Sequence, residues 1–111
     1  MEKKIARTNH FIRKEVGRII HQSLDLPQGV LATVTRVETS SDLLKARVYV
    51  SCIPEASEAL KILEKNVYSI QQKLNKKMKV KIVPKIEFAE EKKTKEAARI
   101  EELLEKARKE K

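Results

Sequence analysis

Glycine occurs only twice in the 111 residues, at Gly17 and Gly29. A phosphate-cradling loop needs several glycines close together, so none is expected. Aromatics are scarce as well. Phe11, Tyr49, Tyr68 and Phe88 are the full set, with no tryptophan. This removes the glycine- and aromatic-rich signature of the RNA-recognition motif and shifts any nucleic-acid contact from base stacking towards phosphates and shape. One cysteine, Cys52, closes no internal disulfide and fits a reducing compartment. It falls on the apolar phase of a strand and reads as a small buried hydrophobe. With His10 and His21 it makes no zinc-ligand spacing, so no metal or cofactor is expected. No apolar run is long enough to cross a bilayer. Met1-Glu2-Lys3-Lys4-Ile5 lacks the apolar centre of a secretory signal. A cytoplasmic protein away from membranes is the expectation. The Ser40-Ser41-Asp42 run has no positioned base beside it and reads as a turn. No catalytic residue emerges, and the chain is not expected to be an enzyme.

Acidic residues are missing where their absence says most. Lys73 to Lys85 holds six lysines and no Asp or Glu. The net charge of +9 is spread unevenly: residues 1–21 carry +4, 22–60 carry −2, 61–85 carry +7, and 86–111 sum to zero. The excess sits on helix-like and strand-like segments rather than on a loose tail. That pattern favours nucleic acid as partner over an anionic membrane or an acidic protein. The length allows one small domain with a single core.

Residues 4–24 predict an amphipathic helix, with Ile5, Ile12, Val16, Ile19, Ile20 and Leu24 at spacings of three and four. Gly17 either weakens this helix or permits close approach of a neighbour. Pro27-Gln28-Gly29 makes a turn. The β-branched run Val30 to Thr39 predicts a strand. After the Ser40 to Asp42 turn, Ala46, Val48, Val50 and Cys52 alternate with polar residues. The two strands are expected to form an antiparallel hairpin. Pro54 ends the second strand, and a helix begins near Glu55 or Ser57. Its buried stripe is Ala59, Leu60, Leu63, Val67, Ile70 and Leu74, interrupted at Lys65-Asn66, where Asn tolerates a left-handed or capping conformation and a kink is plausible. A third strand is expected over residues 79–88. Val80, Ile82, Pro84, Ile86 and Phe88 face the core, opposite Lys79, Lys81, Val83 and Lys85. Pro84 belongs at an edge or bulge. Phe11 and Phe88 are expected in the core, and Tyr49 stands on the polar phase of its strand. Residues 91–111 form a charged tail, partly helical or fraying, with Ile100, Leu103, Leu104 and Ala107 on one face. The expected fold is an α+β sandwich of three strands with helices on one face. The other face would carry Lys79, Lys81, Lys85 and the polar positions of the hairpin.

Three stretches stand out together: Val34-Thr35-Arg36-Val37-Glu38, the run Ser41-Asp42-Leu43-Leu44-Lys45-Ala46-Arg47-Val48-Tyr49-Val50-Ser51, and Val83-Pro84-Lys85-Ile86-Glu87-Phe88. In this order they resemble the ribosome-binding factor A family. The charged Arg99-Ile100-Glu101-Glu102-Leu103-Leu104, the opening helix with Arg13, and Gly17-Arg18-Ile19-Ile20 also fit. The resemblance covers essentially the whole chain. It implies a KH-type fold of the second topology in residues 1–90: helix, two strands, two helices meeting at a kink, and a third strand. Family members replace the usual GXXG loop with an Ala-x-Gly kink. Here Asn66-Val67-Tyr68 stands in that place, departing at both outer positions, and Gln71 stands where the family commonly has Arg. The implied function is binding of the free or immature small (30S) ribosomal subunit through 16S ribosomal RNA, to assist late maturation and RNA processing. In some bacteria the family is needed chiefly in the cold. The protein is expected to be a monomer off the ribosome.

The residues expected to hold phosphates are Lys73, Lys76, Lys77, Lys79, Lys81 and Lys85, with Arg13, Lys14 and Arg18 in second rank. The competing readings are a protein-interaction module that docks through its C-terminal helix, and a generic nucleic-acid binder.

Overall fold

The computed structural model describes residues 2–53, 58–91 and Leu103. In chain order the elements are α1 (Glu2–Ser23), β1 (Leu31–Thr39), β2 (Lys45–Ile53), α2 (Ala59–Lys65), α3 (Val67–Lys77) and β3 (Lys85–Glu90). The sheet order is β1-β2-β3, antiparallel between β1 and β2 and parallel between β2 and β3. A parallel neighbour requires a crossover, and α2 and α3 supply it. This is the α+β arrangement of the KH-type second topology.

The apolar spacing of α1 places Ile12, Val16, Ile19 and Ile20 in the core against Leu63, Ile70 and Leu74 of the helix pair and Val48, Val50 and Ile86 of the sheet. Asn9 fixes α1 to the end of β1. Its Oδ1 accepts from the Thr39 amide at 2.9 Å and the Thr39 hydroxyl at 2.5 Å. Among the described residues nothing lies within 4 Å of a Cβ built on Gly17, so none of them uses this glycine for a close approach. Gly29 adopts φ +83 in the turn before β1, a conformation side chains rarely take. In the hairpin turn Asp42 accepts from the Ser40 hydroxyl at 2.6 Å and the Leu44 amide at 3.0 Å. These donors hold its carboxyl below the usual range.

The helix break at Asn66 exists, but its backbone is not left-handed. Asn66 sits at φ −102, ψ 9, in the bridge region. Its backbone N–H reaches both Ile62 O and Leu63 O at 3.1 Å, and its side-chain Nδ2 donates to Ile62 O at 2.7 Å. Asn66 thus ends α2 with its own amide and leads straight into α3.

Two expectations fail. The third strand spans only Lys85–Glu90, and residues 79–84 are irregular. The cause is register. Lys85 pairs with Lys45, the first residue of β2, so residues before Lys85 have no strand to pair with. Proline at 84 also offers no N–H to a ladder. Consequently Val80 and Ile82 are 52% and 63% exposed instead of buried, and Lys79 and Lys81 are not on the sheet. Phe11 is 36% exposed, not a core residue. Tyr49 keeps its place on the polar phase of β2, where the Arg36 guanidinium lies 3.7 Å over its ring.

Pro84 itself is fully buried. Gln71 of α3 holds the start of β3 from its open side: Nε2 donates to Pro84 O at 3.1 Å, and Oε1 accepts from the Ile86 amide at 2.8 Å. One side-chain amide thereby takes the place of a neighbouring strand. Pro54, Glu55, Ser57, Ile100, Leu104 and Ala107 lie outside the described residues. Leu103 is helical and exposed.

Candidate nucleic-acid interface

Along α1, Lys4, Arg7, Phe11, Lys14 and Arg18 follow one another at steps of three, four, three and four. That spacing puts them on one stripe of the helix, four cations around one ring. The stripe borders the end of α3 and the segment leading to β3, and clefts open along this seam. The first, about 240 Å³, lies between Arg18, Ile19 and Gln22 of α1 and Lys73, Lys76 and Lys77 of α3. The next, about 220 Å³, is lined by Arg7, Thr8, Phe11, Met78, Lys79 and Val80. A third, about 260 Å³, brings Lys4 and Thr8 together with Leu44, Val80, Lys81 and Ile82. From Arg18 to Lys4 the seam follows the helix axis for roughly 21 Å.

The fold therefore joins two basic blocks that are far apart in sequence. Arg18 meets Lys73, Lys76 and Lys77 across one cleft, and Lys14 shares a wider hollow with Arg7 and Phe11. All the lysines expected to hold phosphates are exposed. Lys79 and Lys81 reach the seam from an irregular segment rather than a strand. Two expected residues lie elsewhere. Arg13 is about 140° around the helix from Arg18 by the 100° turn per residue. Lys85 lies on the outer sheet face beside Lys45. The kink residues Asn66, Val67 and Tyr68 stand at the opposite end of α3. Tyr68 is separated from Lys76 by eight residues, about 12 Å along the axis.

The outer sheet face is not the positive surface its sequence implied. Arg36 Nε bonds Glu91 Oε1 at 2.9 Å, Arg36 also pairs with Glu38, and Arg47 Nε bonds Glu87 Oε1 at 2.9 Å. Hydrogen bonding to Glu91 raises the Arg36 pKa above its ordinary value, and the same contact lowers that of the Glu91 carboxyl. Glutamates that read as scattered in sequence neutralise the sheet arginines in register. The seam keeps its charge. Among the described residues, Glu15, whose side chain is 13% exposed, is the acid that lines the α1–α3 cleft, and Asp42 lines the cleft of Lys4 and Lys81. Glu15 Oε1 lies 3.9 Å from Arg18, and among the described residues its buried Oε2 has no hydrogen-bond partner.

Lys4 and Arg7 were missed by sequence reasoning. The helical stripe was the signal that could have found them, because it repeats the same three–four spacing as the core residues, one face away.

The family model for ribosome-binding factor A matches residues 4–104. A ribosome-binding factor A of Clostridium perfringens is 34% identical over 105 residues, covering 90% of this chain and 90% of its own. The crystal structure of ribosome-binding factor A from Thermus thermophilus superposes with a TM-score of 0.68 at 26% identity, over 78% of this chain and 94% of that one. A homology model of the Thermus thermophilus protein, fitted into a cryo-EM map of its complex with 30S, gives 0.63 at 26% identity, over 71% and 86%.

Proposed function

The chain belongs to the ribosome-binding factor A family, and on that premise we propose that it binds the free or immature small ribosomal subunit through 16S ribosomal RNA and assists its late maturation and processing. It acts without catalysing a reaction, as a cytoplasmic monomer off the ribosome. On this reading residues 1–90 form the RNA-binding domain and residues 91–111 a charged tail, and truncation after Glu90 that leaves small-subunit binding intact would make the tail accessory. The observation that carries this reading is the convergence of Arg18 with Lys73, Lys76 and Lys77 across one cleft, continued by Lys79 and Lys81. Flexible ammonium groups on a rigid pair of helices match a phosphate backbone, whose positions vary more than those of base edges. The contribution of Lys85 and Arg13 is secondary, since both point away from the seam.

Changing Lys76, Lys77, Lys79 and Lys81 together to Glu is expected to abolish co-sedimentation with purified small subunits. The circular dichroism spectrum stays unchanged, because all four side chains are exposed. In wild type, log affinity falls with log salt by roughly 0.7 to 0.9 for each phosphate neutralised. Four occupied cations at the first cleft therefore give a slope of about −3. Retained co-sedimentation by the quadruple variant, or a flat salt response, refutes the reading.

A further inference from the structure

Between the phosphate-type cations the seam is apolar. Phe11, Met78 and Val80 line the middle cleft, and Val80, Ile82 and Leu44 line the next. Four of these five are exposed large hydrophobics: Phe11, Leu44, Val80 and Ile82. Cations bracket them, with Arg7 and Lys79 on the middle cleft and Lys4 and Lys81 on the next, where Asp42 also lines the wall, its carboxylate engaged by Ser40 and the Leu44 amide. Exposed apolar side chains gathered in one place mark a surface that something covers.

We propose that this part of the seam takes unpaired nucleotides of single-stranded RNA, with one base seated on Phe11 against Met78 and Val80 and the neighbouring base against Val80, Ile82 and Leu44. The assignment rests on the RNA reading above and adds to it the class of RNA. A duplex presents phosphates and ribose and keeps its bases stacked inside, so it would leave the apolar clefts empty. A single strand alternates anionic phosphates with flat apolar faces. Lys79-Val80-Lys81-Ile82 alternates in the same way, with all four side chains exposed. The ring of Phe11 is open over about a third of its surface and sits between Arg7 and Lys14 on the stripe. Phosphates held by flanking cations would bring a base over it. Met78 adds a soft, adaptable wall that fits purines and pyrimidines alike. The occupant is RNA rather than an acidic peptide because it alternates phosphates with flat apolar faces, and because the α1 hollow of Arg7, Phe11, Lys14 and Arg18 links these clefts to the one lined by Arg18, Lys73, Lys76 and Lys77.

The test uses the full chain and fluorescence anisotropy with a short single-stranded RNA and a blunt RNA duplex of the same composition. Phe11→Ala is expected to weaken single-strand binding by about fivefold or more and to leave duplex binding unchanged. Because Phe11 is partly buried, the exposed pair Val80→Ser and Ile82→Ser provides a second variant with the same expected loss and little effect on folding. Phe11→Trp should keep binding and show indole fluorescence quenched by the single strand but not by the duplex. Equal weakening for both RNAs, or no weakening in either variant, overturns the assignment while the RNA reading stands. Loss of small-subunit co-sedimentation with RNA binding intact also overturns it, in favour of a protein contact. Wild-type protein that binds neither RNA nor the small subunit defeats both readings.

Discussion

Gln71 offers the sharpest test of how the seam is built. Its side-chain amide fills both backbone positions at the open side of β3, donating to Pro84 O and accepting from the Ile86 N–H. Pro84 is fully buried and Ile86 is 2% exposed, so neither backbone group has ready access to water. Removing the amide by Gln71→Ala orphans a carbonyl and an N–H. Each buried, unsatisfied polar group costs about 1–3 kcal/mol. A loss of about 2–6 kcal/mol follows, a large share of the roughly 5–15 kcal/mol that holds a domain folded. For a domain near 100 residues this lowers Tm by about 10 °C or more. Gln71→Arg is the informative companion. Arginine has five donors and no acceptor, so it can satisfy Pro84 O and must leave the Ile86 N–H unpaired. Its loss should be about half that of Gln71→Ala. Urea unfolding gives the magnitudes, and hydrogen exchange at the Ile86 amide locates the effect. A loss below about 1 kcal/mol in Gln71→Ala, or unchanged exchange at Ile86, would refute the account of the clamp. The clamp also matters for function. It ties α3, which carries Lys73, Lys76 and Lys77, to the end of the segment that carries Lys79 and Lys81.

Two further outcomes follow from charge. Glu15→Gln removes the acid that, among the described residues, lines the α1–α3 cleft. For a phosphate about 6 Å away and an effective dielectric of roughly 40–80, this relieves roughly 0.7–1.4 kcal/mol of repulsion. RNA affinity should rise about three- to tenfold in an anisotropy titration, and a fall would show that Glu15 assists binding. The Glu91 carboxyl has its pKa lowered by Arg36, so this pair lends stability that is fully present above the ordinary carboxylate value of 4.5. That stability is lost as pH falls through the lower folded value. Glu91→Gln should therefore lower the urea midpoint at pH 7 and converge with wild type at strongly acidic pH. A constant difference across that range would exclude the linkage.

Several features were legible in the sequence because local physics sets them. The three–four spacing of Ile12, Val16, Ile19 and Ile20 specifies α1 and its buried face. The alternation of Ala46, Val48, Val50 and Cys52 specifies a strand buried on one side. Asn66 announced the helix break, although its backbone takes the bridge region rather than a left-handed turn. Lys79 to Phe88 misled because alternation is a necessary sign of a strand and not a sufficient one. Val80 and Ile82 alternate correctly, yet β2 begins opposite Lys85 and leaves them nothing to pair with. Phe11 misled because one aromatic on a helix can lie just off the core stripe. The basic site was half visible: Lys73, Lys76 and Lys77 form an obvious run. Lys4 and Arg7 did not stand out until α1 was seen to lie beside that run.

The sequence by itself determined α1 and its buried face, the two hairpin strands, the helix break at Asn66, the family and the sign of the charge, since these depend on periodicity and composition over short windows. Only the tertiary structure decided which charges remain free. It set β1, β2 and β3 in a register that joins Arg36 and Arg47 to Glu91, Glu38 and Glu87, and so neutralised the two arginines of the outer sheet face. It laid α1 along α3, so that Arg18 meets three lysines more than fifty residues away. Charge pairing and cleft formation depend on distances across the fold, and neighbours along the chain do not specify those distances.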